Sequence, residues 1–148
     1  MSRDEASAPS IELRLSPPVS NDALNKLFAT AWEGHTARDF APVLARSLTY
    51  VCAYEGDALV GFVNVAWDGG LHAFILDTTV RVSHQRRGIG AALVTAAADA
   101  AKARGCEWLH VDFEADLLPF YRGCGFVPSE GAGLINLRRD WPRTVEQQ

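Results

Sequence analysis

Apolar and polar residues alternate over residues 11–15 (Ile-Glu-Leu-Arg-Leu), the period of a half-buried strand, and Pro17-Pro18 ends the run. The period then lengthens. Ala23, Leu24, Leu27, Phe28, Ala31 and Trp32 share one face of a helix that Ser20 or Asn21 can cap. A polar, Gly-containing connection over 33–39 leads to a second helix over 40–48, beginning near Asp39 with Pro42 in its first turn. Strand patterns follow at 49–54, 58–67 and 71–82. The turn Glu55-Gly56-Asp57 separates the first two, and the hairpin signal Asp68-Gly69-Gly70 makes the third return antiparallel. Ile89, Leu93, Ala96, Ala97 and Ala100 restore helical spacing, and Gly105 marks the stop. Residues 108–113 read as a strand parallel to the one before that helix, because a helical crossover favours parallel pairing. Pro119 forces the short helix over 115–122 to start late or distorted. Phe126 and residues 134–137 supply a final pair of short strands.

Three antiparallel strands thus precede one βαβ crossover, unlike a Rossmann domain, which alternates strand and helix throughout. The fold class is α/β with a mixed sheet (α+β in its antiparallel part). Residues 11–141 form a single domain, with a disordered leader over 1–10 and a loose tail over 142–148.

The joint between the third strand and the long helix is the run Val80-Arg81-Val82-Ser83-His84-Gln85-Arg86-Arg87-Gly88-Ile89-Gly90-Ala91. Glycines there let the backbone approach a ligand, and the free amides of the first helical turn face outward. With the helix dipole behind them and Arg86 and Arg87 beside them, those amides form an anion site suited to a phosphate or pyrophosphate. A Walker loop needs Lys followed by Ser or Thr, which is missing, and the dinucleotide fingerprint needs a third Gly where Leu93 stands.

Composition narrows the partners. The 148 residues are 48% hydrophobic and 22% charged, ordinary for a soluble domain with a substantial core. No apolar run reaches the roughly 20 residues that span a bilayer, and residues 1–10 lack a signal-peptide core, so a cytoplasmic location is the default. A net charge of -4 argues against nucleic acid or a membrane surface, and the positive charge gathered at Arg81, Arg86 and Arg87 suits one small anion. Cys52, Cys106 and Cys124 read as small apolar residues, and the four scattered His residues make no zinc pattern.

Gln85-Arg86-Arg87-Gly88-Ile89-Gly90 resembles the Gln/Arg-x-x-Gly-x-Gly/Ala pyrophosphate motif of the GNAT superfamily, the acetyl-CoA-dependent N-acetyltransferases. Phe120-Tyr121-Arg122-Gly123-Cys124-Gly125-Phe126 resembles the superfamily's Tyr-x-x-x-Gly-Phe signature. The likeness runs from about residue 11 to 138. It implies splayed central strands, acetyl-CoA as co-substrate and no metal. It also implies that the strand at Thr78, Thr79 and Val80 bonds the pantetheine arm, and that Gln85, Arg86, Arg87, Gly88, Ile89, Gly90 and Ala91 hold the pyrophosphate. Val82 stands where the family often has Pro, Arg86 where it often has Gly, and Glu114 where many members carry Asn.

The reaction implied is acetyl transfer from a thioester to a primary amine of a small molecule, amino acid or peptide, by direct attack in a ternary complex. Tyr121 is the candidate acid for the leaving thiolate, against the alternative of a packing residue with a bonded hydroxyl. A backbone amide where two strands separate can serve the oxyanion. The base is open: Asp77 leads, ahead of Asp112 and Glu114 holding a water between them, with His72 behind. The resemblance assigns the acceptor pocket to 32–40 and 131–133. A homodimer is left open, and so is a CoA-binding regulatory module that has lost catalysis.

Overall fold

The computed structural model describes residues 10–142, so all but the inner ends of the expected leader and tail fall outside it. The chain runs β1 (Ile11–Leu15), α1 (Asn21–Ala31), α2 (Ala41–Arg46), β2 (Thr49–Glu55), β3 (Ala58–Trp67) and β4 (His72–Val80). Then come α3 (Ile89–Ala103), β5 (Trp108–Val111) and α4 (Leu118–Gly123). The sheet order is β1-β2-β3-β4-β5; β4 and β5 pair in parallel and the other neighbours antiparallel. This is the mixed sheet the residue pattern predicts.

Local chemistry sets the joints. The Ser20 hydroxyl accepts from Ala23 N at 3.1 Å and caps α1, while Asp39 Oδ1 accepts from Ala41 N at 3.0 Å ahead of α2. In the β3–β4 hairpin, Asp68 Oδ1 accepts from Gly70 N at 2.7 Å while Gly69 turns at φ +80°. A 3-10 turn at Ala115–Leu117 precedes α4 and leaves Pro119 in the first helical turn, the late start its ring demands.

The sheet is covered on both faces. On one, α3 buries Ile89, Leu93, Val94, Ala97 and Ala101 against Val51, Val60, Val63 and Ile75. The alternate strand residues Cys52, Tyr54 and Phe62 meet Leu24, Leu27, Phe28 and Phe40 on the other. Burial pushes the Cys52 thiol up to about 12, so it behaves as a small apolar residue. Cys106 and Cys124 are only half-buried.

Gly61 sets how closely α3 can approach. A Cβ there would lie 3.0 Å from Leu93 Cδ1, 3.1 Å from Ala53 Cβ and 3.2 Å from Ile89 Cγ2. Gly61→Val is therefore expected to lower stability by about 1–3 kcal/mol, the usual cost of overpacking, as read by urea denaturation.

One expectation is corrected. Phe126 and residues 134–137 form no strands; that stretch is turn and irregular chain. The Asn136 side chain accepts from Arg138 N at 3.1 Å and Arg139 N at 3.0 Å, a local bond that draws the backbone into a turn instead of a ladder. Leu134, Ile135 and Leu137 are exposed as a result. No helix among the described residues is long and apolar enough to cross a membrane.

Candidate active site

The site is built where β4 leaves β5. Their last paired residues are Ile75 and Val111, and β4 continues through Leu76, Asp77, Thr78, Thr79 and Val80 with no β5 partner. On its other side β4 is also irregular: the register with β3 shifts between Phe62 and Asn64, leaving Asp77 and Thr78 unpaired, and Asp77 sits at φ +58°. A bulge at this point re-aims the strand. The outcome is a strand edge whose peptide groups on the β5 side have no ladder partner. Thr78 Oγ1 is buried there with no hydrogen-bond partner among the described residues. Thr79 is buried, donates to Asp77 O at 2.9 Å and accepts from Trp32 Nε1 at 2.9 Å.

The glycine turn closes one end of this edge. After a 3-10 turn at Val82–His84, Arg86 takes φ +65° and Gly88 φ +80°, and Gly88 is the N-cap of α3 with no side-chain cap. The first amides of α3 are therefore left to a ligand or to solvent. Gln85 Nε2 donates to Val80 O at 3.1 Å, tying the turn to the end of β4. Arg86 and Arg87 are exposed. These features fit an elongated ligand with a pantetheine-like amide arm on the strand edge and a pyrophosphate on the helix. The Gln85–Val80 bond, and the approach of Val80 Cγ2 to within 3.7 Å of a Cβ at Gly90, set residues 78–80 beside residues 85–91.

Sequence reasoning missed what holds the turn. Glu55, at the end of β2, meets His84 Nε2 at 3.1 Å and Arg87 Nη1 at 3.9 Å, while His84 Nδ1 meets Ser83 Oγ at 2.7 Å. Lost with Glu55, one such bond is worth on the order of 1 kcal/mol. Glu55→Ala is expected to weaken CoA binding by about 2- to 10-fold in calorimetric titration, through a looser turn and not a lost ligand contact.

Tyr121 lies on the α3 side. It is 6% exposed, stacks on Phe113 at 4.8 Å and meets Phe120 and Phe126 edge-on at 4.9 and 5.7 Å. Phe120 in turn borders Gly90, where a Cβ would lie 3.3 Å from its Cζ. Aromatic packing thus links α4 to the anion turn. The Tyr121 hydroxyl makes no hydrogen bond among the described residues and is not a buried orphan, so it is free to act on a ligand.

The candidate bases are not gathered around it. Asp77 belongs to the α1 side, where its Oδ2 meets Arg38 Nη2 at 3.1 Å. Asp112 and Glu114 fall beyond the end of β5, exposed on an irregular stretch, so they share no strand face on which to hold a water. His72 is bonded to His110, with Nδ1 and Nε2 at 2.8 Å, near the other end of β4. Among the described residues no cluster of three or more His, Cys, Asp or Glu is placed to hold a metal.

A five-stranded mixed sheet whose parallel pair ends early, followed by a helix with an uncapped N-terminus, has counterparts of known class. Three solved structures show the likeness. One is a GNAT-family acetyltransferase of Streptococcus pneumoniae TIGR4, with 28% identity over 86% of this chain and 98% of that one and a TM-score of 0.72. Another is a Trypanosoma brucei acetyltransferase, with 21% identity over 86% and 100% of the two chains and a TM-score of 0.70. An aminoglycoside N-acetyltransferase solved with CoA shares 17% identity over 86% and 94%, also with a TM-score of 0.70. No curated protein matches the chain. The model of the Acetyltransferase (GNAT) family matches residues 19–126, and the chain belongs to that family.

Proposed function

We propose that this protein transfers an acetyl group from acetyl-CoA to a primary amine of a small molecule, amino acid or peptide, within a ternary complex. The observation that carries the reading is the unpaired end of β4 tied by the Gln85–Val80 bond to the turn that leads into the uncapped N-terminus of α3. Thr78, Thr79 and Val80 hold the pantetheine arm through their backbone. Gln85, Arg86, Arg87, Gly88, Ile89, Gly90 and Ala91 hold the pyrophosphate by amides, helix dipole and flanking charge.

The transfer balances with groups of this chain. The neutral amine nitrogen bonds to the acetyl carbon and the carbon–sulfur bond breaks; one proton leaves nitrogen and one reaches sulfur. Unpaired amides at the β4 bulge stabilise the oxyanion as it develops. Tyr121 supplies the proton to sulfur. Asp77, with Oδ1 unpaired among the described residues, takes the amine's proton, directly or through water.

The alternative is a silent CoA-binding module, and one experiment separates the two. Acetyl-CoA is incubated with the protein and an amine panel while free thiol is followed. Amine-dependent thiol release supports the enzyme; saturable CoA binding without release supports the module.

A further inference from the structure

The connection between α1 and α2 holds an arginine ready for a ligand. Asn25, on α1, grips the Arg38 peptide from both sides: Asn25 Nδ2 donates to Arg38 O at 3.0 Å, and Arg38 N donates to Asn25 Oδ1 at 3.0 Å. His35 Nε2 meets the same Oδ1 at 2.9 Å. Asn21 holds the neighbouring residues, donating to Asp39 Oδ1 and accepting from Phe40 N, each at 2.9 Å. The Arg38 guanidinium lies over two aromatic rings, 4.5 Å from the Phe40 centroid and 5.1 Å from that of Phe28. Backbone and head group are therefore both fixed before any ligand arrives.

That guanidinium is largely unused. Its one hydrogen bond among the described residues is Nη2 to Asp77 Oδ2 at 3.1 Å, and the side chain is 48% exposed. The second hydrogen of Nη2 remains and, with the adjacent Nε–H or Nη1–H, forms one side of the rigid fork that matches a carboxylate. Asp77 is 36% exposed and keeps Oδ1 free, on the β4 bulge next to the strand edge assigned to the cofactor arm. A carboxylate receptor and an amine receptor thus stand side by side at the β4 bulge.

We infer that the acceptor is a free amino acid, whose carboxylate binds Arg38 and whose amine lies against Asp77. This rests on the acetyl-transfer reading above and deepens it. One carbon separates the two charged groups of an α-amino acid, which matches two receptors in direct contact. A plain amine leaves the Arg38 fork empty, and a peptide N-terminus carries no carboxylate beside its amine. Charge-assisted bonds to a positioned guanidinium are worth about 10- to 100-fold in discrimination. Arg38 is thus a specificity determinant, and Asp77 both orients the amine and receives its proton.

The test uses the full chain and the twenty proteinogenic amino acids, each paired with its carboxamide. Two readouts are taken: thermal shift with and without CoA, and thiol release with acetyl-CoA. At least one free acid should stabilise the protein and turn over about 10- to 100-fold better than its amide in kcat/KM. In Arg38→Met the acid-to-amide ratio should fall towards one, mainly through KM for the acid, and Arg38→Lys should recover part of it. A CoA titration of each variant verifies the fold. Acids and amides that respond equally, or neither responding in a protein that binds CoA, overturn the amino-acid site and leave acetyl transfer standing. Acids that stabilise without thiol release keep the site and defeat the acetyl-transfer reading.

Discussion

Gly90→Glu protein is expected to bind CoA at least about tenfold more weakly than wild type, a loss of about 1.4 kcal/mol or more. Gly90 is the second residue of α3, among the amides assigned to the pyrophosphate. A Cβ on it points into the space between Phe120 Cζ, at 3.3 Å, and Val80 Cγ2, at 3.7 Å. A Glu side chain leaving by that route sets its carboxylate beside the free amides and competes with the ligand for them. The contact with Phe120 also strains the packing around Tyr121, so Gly90→Ala is the companion variant. It carries the added carbon without the charge, and its smaller loss measures the steric part. Unchanged CoA affinity in a folded Gly90→Glu protein contradicts the assignment of this turn.

Tyr121→Phe should lower kcat by about 10- to 1,000-fold and leave CoA affinity nearly unchanged. Phe113, Phe120 and Phe126 hold the ring on three sides, and none of them bonds the hydroxyl, so its removal breaks no protein contact. Stability should therefore change little. On the proposed acid role the effect belongs in kcat, because the proton would move as the thiolate departs, an interaction absent from the ground state. Water reaching an open site can replace part of the function, which favours the lower end of the range. Full turnover in the variant removes Tyr121 from the chemistry and leaves the CoA site intact.

Features carried by short stretches of chain were legible in the residues. The glycine turn into α3 and the α3 face of Ile89, Leu93 and Ala97 lie within one run. So do the Asp68-Gly69-Gly70 hairpin and the late start before Pro119. Their backbone geometry is set by neighbours in sequence, which is what period and turn chemistry report. The contacts that organise the site join distant residues. Arg38 and Asp77 are 39 apart, and Glu55 and His84 are 29 apart; neither partner announces the other. The bulge that puts Asp77 at φ +58° is a matter of strand register, which no local pattern encodes. The strands expected over 134–137 failed for the opposite reason, since a local Asn136 turn overrode an apolar pattern that met no partner.

The central claim, that a CoA-type ligand lies along the β4 edge and onto the start of α3, has a direct measurement in backbone hydrogen exchange with and without CoA. Binding should slow exchange at amides within 76–80 and 86–91 and leave the outer strand β1 unchanged. Protection confined to other parts of the chain, or no change at saturating CoA, contradicts the claim.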